Sequence, residues 1–437
     1  MKMIFLVCLL LWLPSVVVTW DNTIDFFYWR HHFVILTGFL ALAYMSVAML
    51  TAMRFSKVEQ WLDGLDKSYA VHKSLGIHAT IALTCHWLLM KIPKWLILLG
   101  WLERPHRQNR IHQIQDAIPW AALAKDVGEF AFYTFVIFVG ISLFEAISYR
   151  HFKFTHKLGG VIFMAGAFHS IVLIDISSET MSMNVVIVSL ALLGSVCALI
   201  SLSGRIGQAN KVTGQVSHVQ PILDESGHGD IVHFSIQLSK PLSYQAGQFA
   251  YLSFDDKEPP HPFSILSYQR HNNHIEFAVK DLGDYTHHLV TSIFVGQKVT
   301  VEGGYGKFNI PTSREQVWVG AGIGIVPFLA WLQRLSSTPH NNSQHITLYY
   351  CRESDHQQYF VELLNRLVPK LPNVTLQVYT ASHNQRLCAQ RIANQLDLQQ
   401  GEVSFCGPKI FGQTLKKQLI SMGLDRCHFH NELFNMR

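Results

Sequence analysis

Four histidines set in two apolar stretches are the residues of this chain best suited to chemistry. His72 and His86 lie fourteen residues apart in one stretch, and His156 and His169 lie thirteen apart in another. At about 100° per helical residue, the first spacing brings both imidazoles to within roughly 40° of one helix face, roughly 20 Å apart along its axis. The second leaves its rings about 140° apart on an ideal helix. Gly159, Gly160 and Gly166 provide places for that helix to kink or bulge. Ionisable side chains inside a membrane are costly and require partners. Haem iron answers this requirement: two haems, each held by one histidine from each stretch, satisfy all four rings and stack through a bilayer. Separate interhelical hydrogen bonds are the plainer alternative, and two matched pairs weigh against it. His78, about 120° and 80° from the two ligand directions, fits neither pair and reads as packing.

The composition supports a membrane setting for those stretches. Of 437 residues, 49% are hydrophobic and 15% charged, and most of the charge lies beyond Arg205. A membrane half joined to a soluble half explains this better than one uniform globule. Apolar runs at about 3–20, 33–53, 71–89, 130–147, 158–174 and 183–202 predict six spans, with both ends on one side. No small-x-small cleavage site follows the first run, which favours a retained span over a signal peptide. A net charge of +5 without basic blocks does not suit nucleic acid. The seven cysteines, at 8, 85, 197, 351, 388, 406 and 427, form no Cys-x-x-Cys pair and suggest neither a disulfide framework nor a zinc site. Cys85 adjoins His86 but faces another way on a helix, so packing is its expected role.

From Val212 short alternating strands take over, at 231–238, 248–254 and 274–280, as in a small antiparallel barrel. Within it, His261-Pro262-Phe263-Ser264 combines a fixed backbone, an aromatic able to lie along a flat ring, and a hydroxyl able to reach a ring nitrogen or phosphate. An ordinary strand entry reads the same. Lys280, Gly283 and Thr286 precede a helix-like run, where backbone amides and a hydroxyl suit a pyrophosphate. Gly303-Gly304-Tyr305-Gly306 is a further turn that a ligand can approach closely. Taken together, the three segments predict a flavin site.

From Gln316 strand and helix alternate. Residues 317–330 read as a buried strand, a glycine-rich turn and a helix with Pro327 in its first turn. Gly320, Gly322 and Gly324 depart from the G-x-G-x-x-G spacing, yet they still let a diphosphate approach a helix N-terminus. Strands at 345–351, 374–379 and 403–406 follow, as in a doubly wound parallel sheet. Arg352, just past the second strand, stands where a cation meets the ribose phosphate that distinguishes NADPH from NADH; a solvated arginine fits equally. Cys406-Gly407-Pro408 ends the fourth strand, where thiol and glycine border a nicotinamide or form a plain strand-to-helix turn. Phe434, near the C-terminus, is placed to cover a flavin.

Orientation follows from basic loops. Arg54, Lys57, Lys67 and Lys73 precede the third run, Arg150, Lys153 and Lys157 the fifth, and Arg205 and Lys211 follow the sixth. These loops are expected in the cytoplasm. Lys91, Lys94, Arg104, Arg107 and Arg110 pull the other way, and the nucleotide-binding half decides the matter. His72 and His156 then form the inner pair, His86 and His169 the outer. Domains are expected at 1–204, 205–312 and 313–437.

With these motifs in order, the chain resembles the ferric reductase and NADPH oxidase superfamily, in the manner of a bacterial six-span member, over nearly its whole length. The resemblance implies a six-helix transmembrane bundle followed by a ferredoxin-reductase-like module. That module comprises an antiparallel β-barrel FAD domain and a doubly wound α/β nucleotide domain. His72, His86, His156 and His169 are implied to ligate two b-type haems. His261, Pro262, Phe263, Ser264, Lys280, Gly283, Thr286 and Gly304 are implied to bind FAD. Gly320, Gly322, Gly324, Pro327, Arg352, Cys406, Gly407 and Pro408 look like the NADPH positions. Cys406 and Phe434 are implied at the site of hydride transfer, and Arg30 at the outer mouth. The chain departs from the family in three places: Gly303-Gly-Tyr-Gly306 replaces Gly-Pro-Tyr-Gly, Met90 replaces the histidine of superoxide-forming oxidases, and three residues follow Phe434.

The expectation is an NAD(P)H-dependent transmembrane oxidoreductase of the cytoplasmic membrane. Electrons from cytoplasmic NADPH pass by FAD and two haems to an acceptor outside, with a ferric or other metal chelate preferred to O2. A haem and flavin subunit feeding a periplasmic partner protein, and a membrane-anchored sensor that does not turn over, are the rival expectations.

Overall fold

The computed structural model describes residues 1–20, 25–103, 119–144, 149–174, 180–223, 229–256, 258–337, 344–353, 358–383 and 386–432. They form two compact units, Met1–Gln60 with Ser68–Ile206, and Trp61–Lys67 with Gly207–Arg437. Phe434 and the basic residues Arg104, Arg107 and Arg110 lie outside the described residues.

The first unit is helical, drawing on α1 (Lys2–Val18), α2 (Phe26–Thr51), α3 (Ser56–Trp61), α4 (Leu65–Leu98), α5 (Trp120–Leu143), α6 (Tyr149–Val172) and α7 (Met181–Leu202). Its core uses small residues where helices meet, with Ala79, Ala191 and Ala198 fully buried. Large apolar side chains such as Phe130, Ile137 and Leu199 point outward. Small residues inside and apolar ones outside are the arrangement of helices packed in lipid.

The expectation of six spans needs correction. Among the described residues four helices, α2, α4, α5 and α7, are long and apolar enough to cross a membrane. α1 has 17 residues, about 26 Å of helix against an apolar layer of about 30 Å. α6 has 24 residues, but Arg150, Lys153, Lys157 and three histidines dilute its hydropathy. α6 is also an uninterrupted α-helix, so its glycines make no break. Gly159 and Gly160 serve close packing instead: a Cβ at Gly159 would stand 2.9 Å from Phe138, and one at Gly160 3.3 Å from Leu202. Cys85, expected to pack, is exposed on α4.

In the second unit the alternating residues form β1 (Lys211–Ile222), β2 (Ile231–Leu238), β3 (Phe249–Phe254), β4 (His261–Gln269), β5 (His274–Lys280) and β6 (Lys298–Tyr305). They close an antiparallel barrel in the order β1-β2-β5-β4-β3-β6, filled by Val232, Phe234, Ile236, Leu252, Phe277 and Val301. α8 (Asp284–Ser292) is inserted before β6.

A parallel five-stranded sheet follows: β7 (Glu315–Ala321), β8 (His345–Arg352), β9 (Val374–Thr380), β10 (Glu402–Cys406) and β11 (Phe429–Asn431). Its helices are α9 (Val326–Ser337), α10 (Gln358–Leu367), α11 (Ala389–Ala393) and α12 (Lys409–Ser421). The strand order β11-β10-β7-β8-β9 reverses direction at β7, which makes the crevice beyond the C-terminal ends of β7 and β10 the place for a ligand. Barrel and sheet share one core, in which Phe308 stacks on Trp331 at 4.6 Å and the Trp331 indole donates to Ala246 O at 3.2 Å. Burial of each such aromatic contributes about 2–3 kcal/mol and fixes the two sheets against each other.

Candidate functional site

The four histidines meet in the expected pairs. His72 and His156 have ring centres 5.8 Å apart, and His86 and His169 6.3 Å. Each ring is held from behind. His72 Nδ1 lies 2.8 Å from Ala48 O, His86 Nδ1 3.0 Å from Val34 O, and His169 Nδ1 2.8 Å from Ala124 O. A backbone carbonyl only accepts, so each Nδ1 carries the proton and each Nε2 keeps its lone pair. His156 reaches the same state by a relay. Ser142 donates its hydroxyl proton to Phe138 O, and its oxygen, 3.3 Å from His156 Nδ1, accepts from the ring. Phe138 and Phe152 flank that ring at 5.1 and 4.9 Å.

Two glycines that the sequence did not single out shape the second pair. A Cβ at Gly128 of α5 would lie 2.1 Å from His169 Nδ1, and one at Gly38 of α2 3.2 Å from the His86 ring. Glycine inside an apolar helix carries a cost in helix propensity, and that cost was the signal available. His78 bonds back to Ser74 O at 2.7 Å and lies against Tyr44, the packing role expected of it. Arg30 donates from Nε to Leu89 O at 2.8 Å and from Nη2 to Met90 Sδ at 3.3 Å, which places it three to four residues beyond His86 on α4.

In the barrel, His261, Pro262, Phe263 and Ser264 form the first half of β4, paired with β3 and half-buried. The His261 ring stacks on Tyr285 at 3.6 Å and 11°, a partner on α8 that no motif announced. Burial pushes the Tyr285 hydroxyl well up, with nearby Asp256 and Glu258 adding to it. Lys280 pairs with Asp230 at 3.2 Å. Thr286 sits at the start of α8. Its hydroxyl accepts from the Leu282 and Gly283 amides at 2.8 and 3.0 Å and donates to Gly283 O, which shapes the start of α8. The space beside Gly283 is open. Gly304, expected in a turn, lies instead in the last residues of β6, with its amide donating to Ser243 O at 3.0 Å.

In the sheet, the two nucleotide motifs are brought together. Cys406 pairs with Gly320 across β10 and β7. A Cβ at Gly324 would stand 2.3 Å from Cys406 O, so only glycine lets the β7 turn close onto Cys406-Gly407. Gly322 has φ +57°, and Pro327 follows in the first turn of α9. Pro408 is the exposed N-cap of α12. Arg352, at the end of β8, donates from Nε to Thr380 Oγ1 at 2.9 Å and from Nη1 to Gln358 Oε1 at 3.1 Å. The Cys406 thiol is fully buried and pushed up, first by burial and then by the Glu432 charge. Glu432 itself, two residues before Phe434, was not singled out from the sequence for any role of its own.

Apolar helices with paired imidazoles, joined to a barrel and a parallel sheet, define a membrane-embedded flavoprotein reductase architecture. The sequence signature of a ferric reductase like transmembrane component matches residues 37–167, and that of an FAD-binding domain matches 222–348. Together the two signatures match the ferric reductase and NADPH oxidase superfamily. Among curated relatives, the reductase component of propane 2-monooxygenase from Rhodococcus jostii is 26% identical over 170 residues, 38% of this chain and 44% of that protein. The electron transfer component of anthranilate 1,2-dioxygenase from Acinetobacter baylyi is 23% identical over 239 residues, 52% of this chain and 68% of that one. The chain thus spans less than half the length of the first of these. Similar solved structures include a flavohemoglobin from Malassezia yamatoensis, at 15% identity and TM-score 0.49, covering 92% of this chain and 96% of that one. Another is the ferredoxin-NADP+ reductase of Plasmodium falciparum, at 16% identity and TM-score 0.42, covering 51% and 96%.

Proposed function

We propose that this chain moves electrons from NADPH, by way of FAD and two bis-histidine b-type haems, across the cytoplasmic membrane to a ferric or other metal chelate outside. The observation that carries the reading is the state of the imidazole pairs. Two metal–imidazole bonds of about 2.0–2.1 Å, with each ring centre about 1.1 Å further back, separate ring centres by about 6.3 Å. The pairs stand at 5.8 and 6.3 Å with Nδ1 protonated and Nε2 bare, which fits a single iron between each. FAD fits the barrel by the same standard: β4 offers Phe263 and Ser264, and open space lies beside Gly283 at the first amides of α8.

FAD supplies a group that takes two electrons as hydride and releases them singly, and haem supplies a one-electron carrier. The chain's own residues do the rest. Val34, Ala48, Ala124 and Ser142 fix ring tautomer and direction, which preorganises the ligands. Gly320 and Gly324 let the β7 turn pack closely onto Ile325 and Cys406, which shapes the crevice for a dinucleotide, and Arg352 at the end of β8 stands where a ribose phosphate would bind. The two pairs are fourteen and thirteen residues apart along α4 and α6, about 20 Å, so no moving part is needed to carry charge through most of the apolar layer.

The preference for a metal chelate rests on Met90, whose thioether accepts the Arg30 N–H and has no proton to give. Reduction of O2 to superoxide is the second reading, favoured by the approach of Arg30 to α4 beside His86. Dithionite-reduced spectra of pure protein test the haems: paired-histidine b-type bands are expected, with about half the haem lost in His86→Ala. Absence of such bands refutes the ligand assignment. Cytochrome c reduction that superoxide dismutase abolishes would move the acceptor to O2.

A further inference from the structure

Three of the four paired histidines are held by backbone, and one is held by side chains. Ala48 O, Val34 O and Ala124 O stand 2.8, 3.0 and 2.8 Å from Nδ1 of His72, His86 and His169. At His156 the acceptor is instead the Ser142 hydroxyl oxygen, 3.3 Å from Nδ1, while that hydroxyl donates its own proton to Phe138 O at 2.8 Å. Phe138 and Ser142 are four residues apart on α5, so one face of that helix supplies both the acceptor for the serine and a ring that stacks on the imidazole at 5.1 Å. Phe152, four residues before His156 on α6, stacks on it at 4.9 Å. Donation from Nδ1–H moves electron density toward Nε2 and makes the imidazole a more basic ligand, so a stronger acceptor favours the oxidised, more highly charged metal. A hydroxyl oxygen at 3.3 Å is a weaker acceptor than a peptide carbonyl at 2.8 Å. The two phenyl rings add apolar surroundings, which also disfavour the extra charge of the oxidised state. Both effects act in one direction and at one of the two pairs.

We propose that Ser142 is a positioning residue that sets the reduction potential at the His72–His156 pair, acting through His156 to keep that site readily reduced. The inference rests on the electron-transfer reading above, in which this pair is the inner one and receives the electron from the flavin. In that step reduced flavin loses one electron and ferric iron gains it, with no bond made and no proton moved at Ser142. A higher potential at the receiving site favours the transfer. The other three acceptors belong to the backbone, so Ser142 is the one of the four that a substitution can remove.

Spectroelectrochemical titration of the full-length protein in detergent reads the potentials, and His86→Ala, which keeps the inner pair, identifies its signal. Ser142→Ala should raise that midpoint by about tenfold in the ferric–ferrous equilibrium, or about 59 mV for a single electron, and leave the outer midpoint in place. Ser142→Thr keeps a hydroxyl able to bond the carbonyl four residues back, and should titrate as wild type does. Should Ser142→Ala lose haem, Ser142→Cys fills nearly the same space with a weaker acceptor and is expected to move the midpoint in the same direction. A full haem complement with both midpoints unmoved in Ser142→Ala or Ser142→Cys overturns the role of Ser142, as does an equal shift in Ser142→Thr. Wild-type protein without haem bands would overturn the electron-transfer reading itself, whereas haem midpoints indifferent to Ser142 leave that reading standing.

Discussion

A carbonyl can only accept a hydrogen bond, and at the scale of single residues that asymmetry turns four histidines into four directed lone pairs. Arg352 is oriented in the same way, since Thr380 and Gln358 accept two of its N–H groups. Arg352→Gln should lower the preference for NADPH over NADH by about tenfold, read as the ratio of kcat/KM values, because a charge-assisted contact to the ribose phosphate is lost. Glu276 gives a pH prediction. The His233 hydrogen bond, at 3.2 Å, and then the charges of His233, His274 and His218 hold its carboxyl below the usual range. A depressed carboxylate stabilises the fold at pH above its unfolded value and loses that contribution as pH falls through the folded one. Glu276→Gln should therefore cost about 1 kcal/mol at pH 7, with the difference from wild type closing as the pH falls through the depressed folded-state pKa, as followed by thermal unfolding.

At the scale of elements, helix glycines decide whether an imidazole has room to turn. Gly128→Ala should remove the haem held by His86 and His169 while leaving the other, because a Cβ 2.1 Å from Nδ1 displaces the His169 ring. Gly140→Ala on the same helix, where a Cβ meets nothing within 4 Å, should leave the haem content unchanged. Haem per polypeptide, measured as the pyridine complex, separates the two. The sheet makes the complementary point. β7, β8, β9 and β10 were legible as apolar runs closed by turn residues, whereas three-residue β11 offers no alternation and depends on pairing with β10. α6 shows where pattern misleads: its glycines suggested a kink, but they admit Phe138 and Leu202 to an unbroken helix.

At the scale of the molecule, the proposed topology puts the flavin and nucleotide unit in the cytoplasm. Cys388 and Cys427 are exposed on that unit. A membrane-impermeant maleimide should label them in inverted membrane vesicles and leave them unlabelled in right-side-out ones; the opposite pattern would reverse the orientation.

The sequence by itself determined which residue types stand at which spacing. It carried the histidine positions on α4 and α6, the His261–Ser264 and Gly320–Gly324 segments, and the change from helical to alternating periodicity near residue 210, all of which are local properties of the chain. It overstated the spans, because hydropathy counts apolar residues without asking how long the helix is or how many charges share it. Tertiary structure decided which ring nitrogen bears the proton, that Gly324 closes onto Cys406, and that His261 stacks on Tyr285. Each of these joins residues far apart in the chain, and no periodicity records a contact whose two halves are separated by a fold.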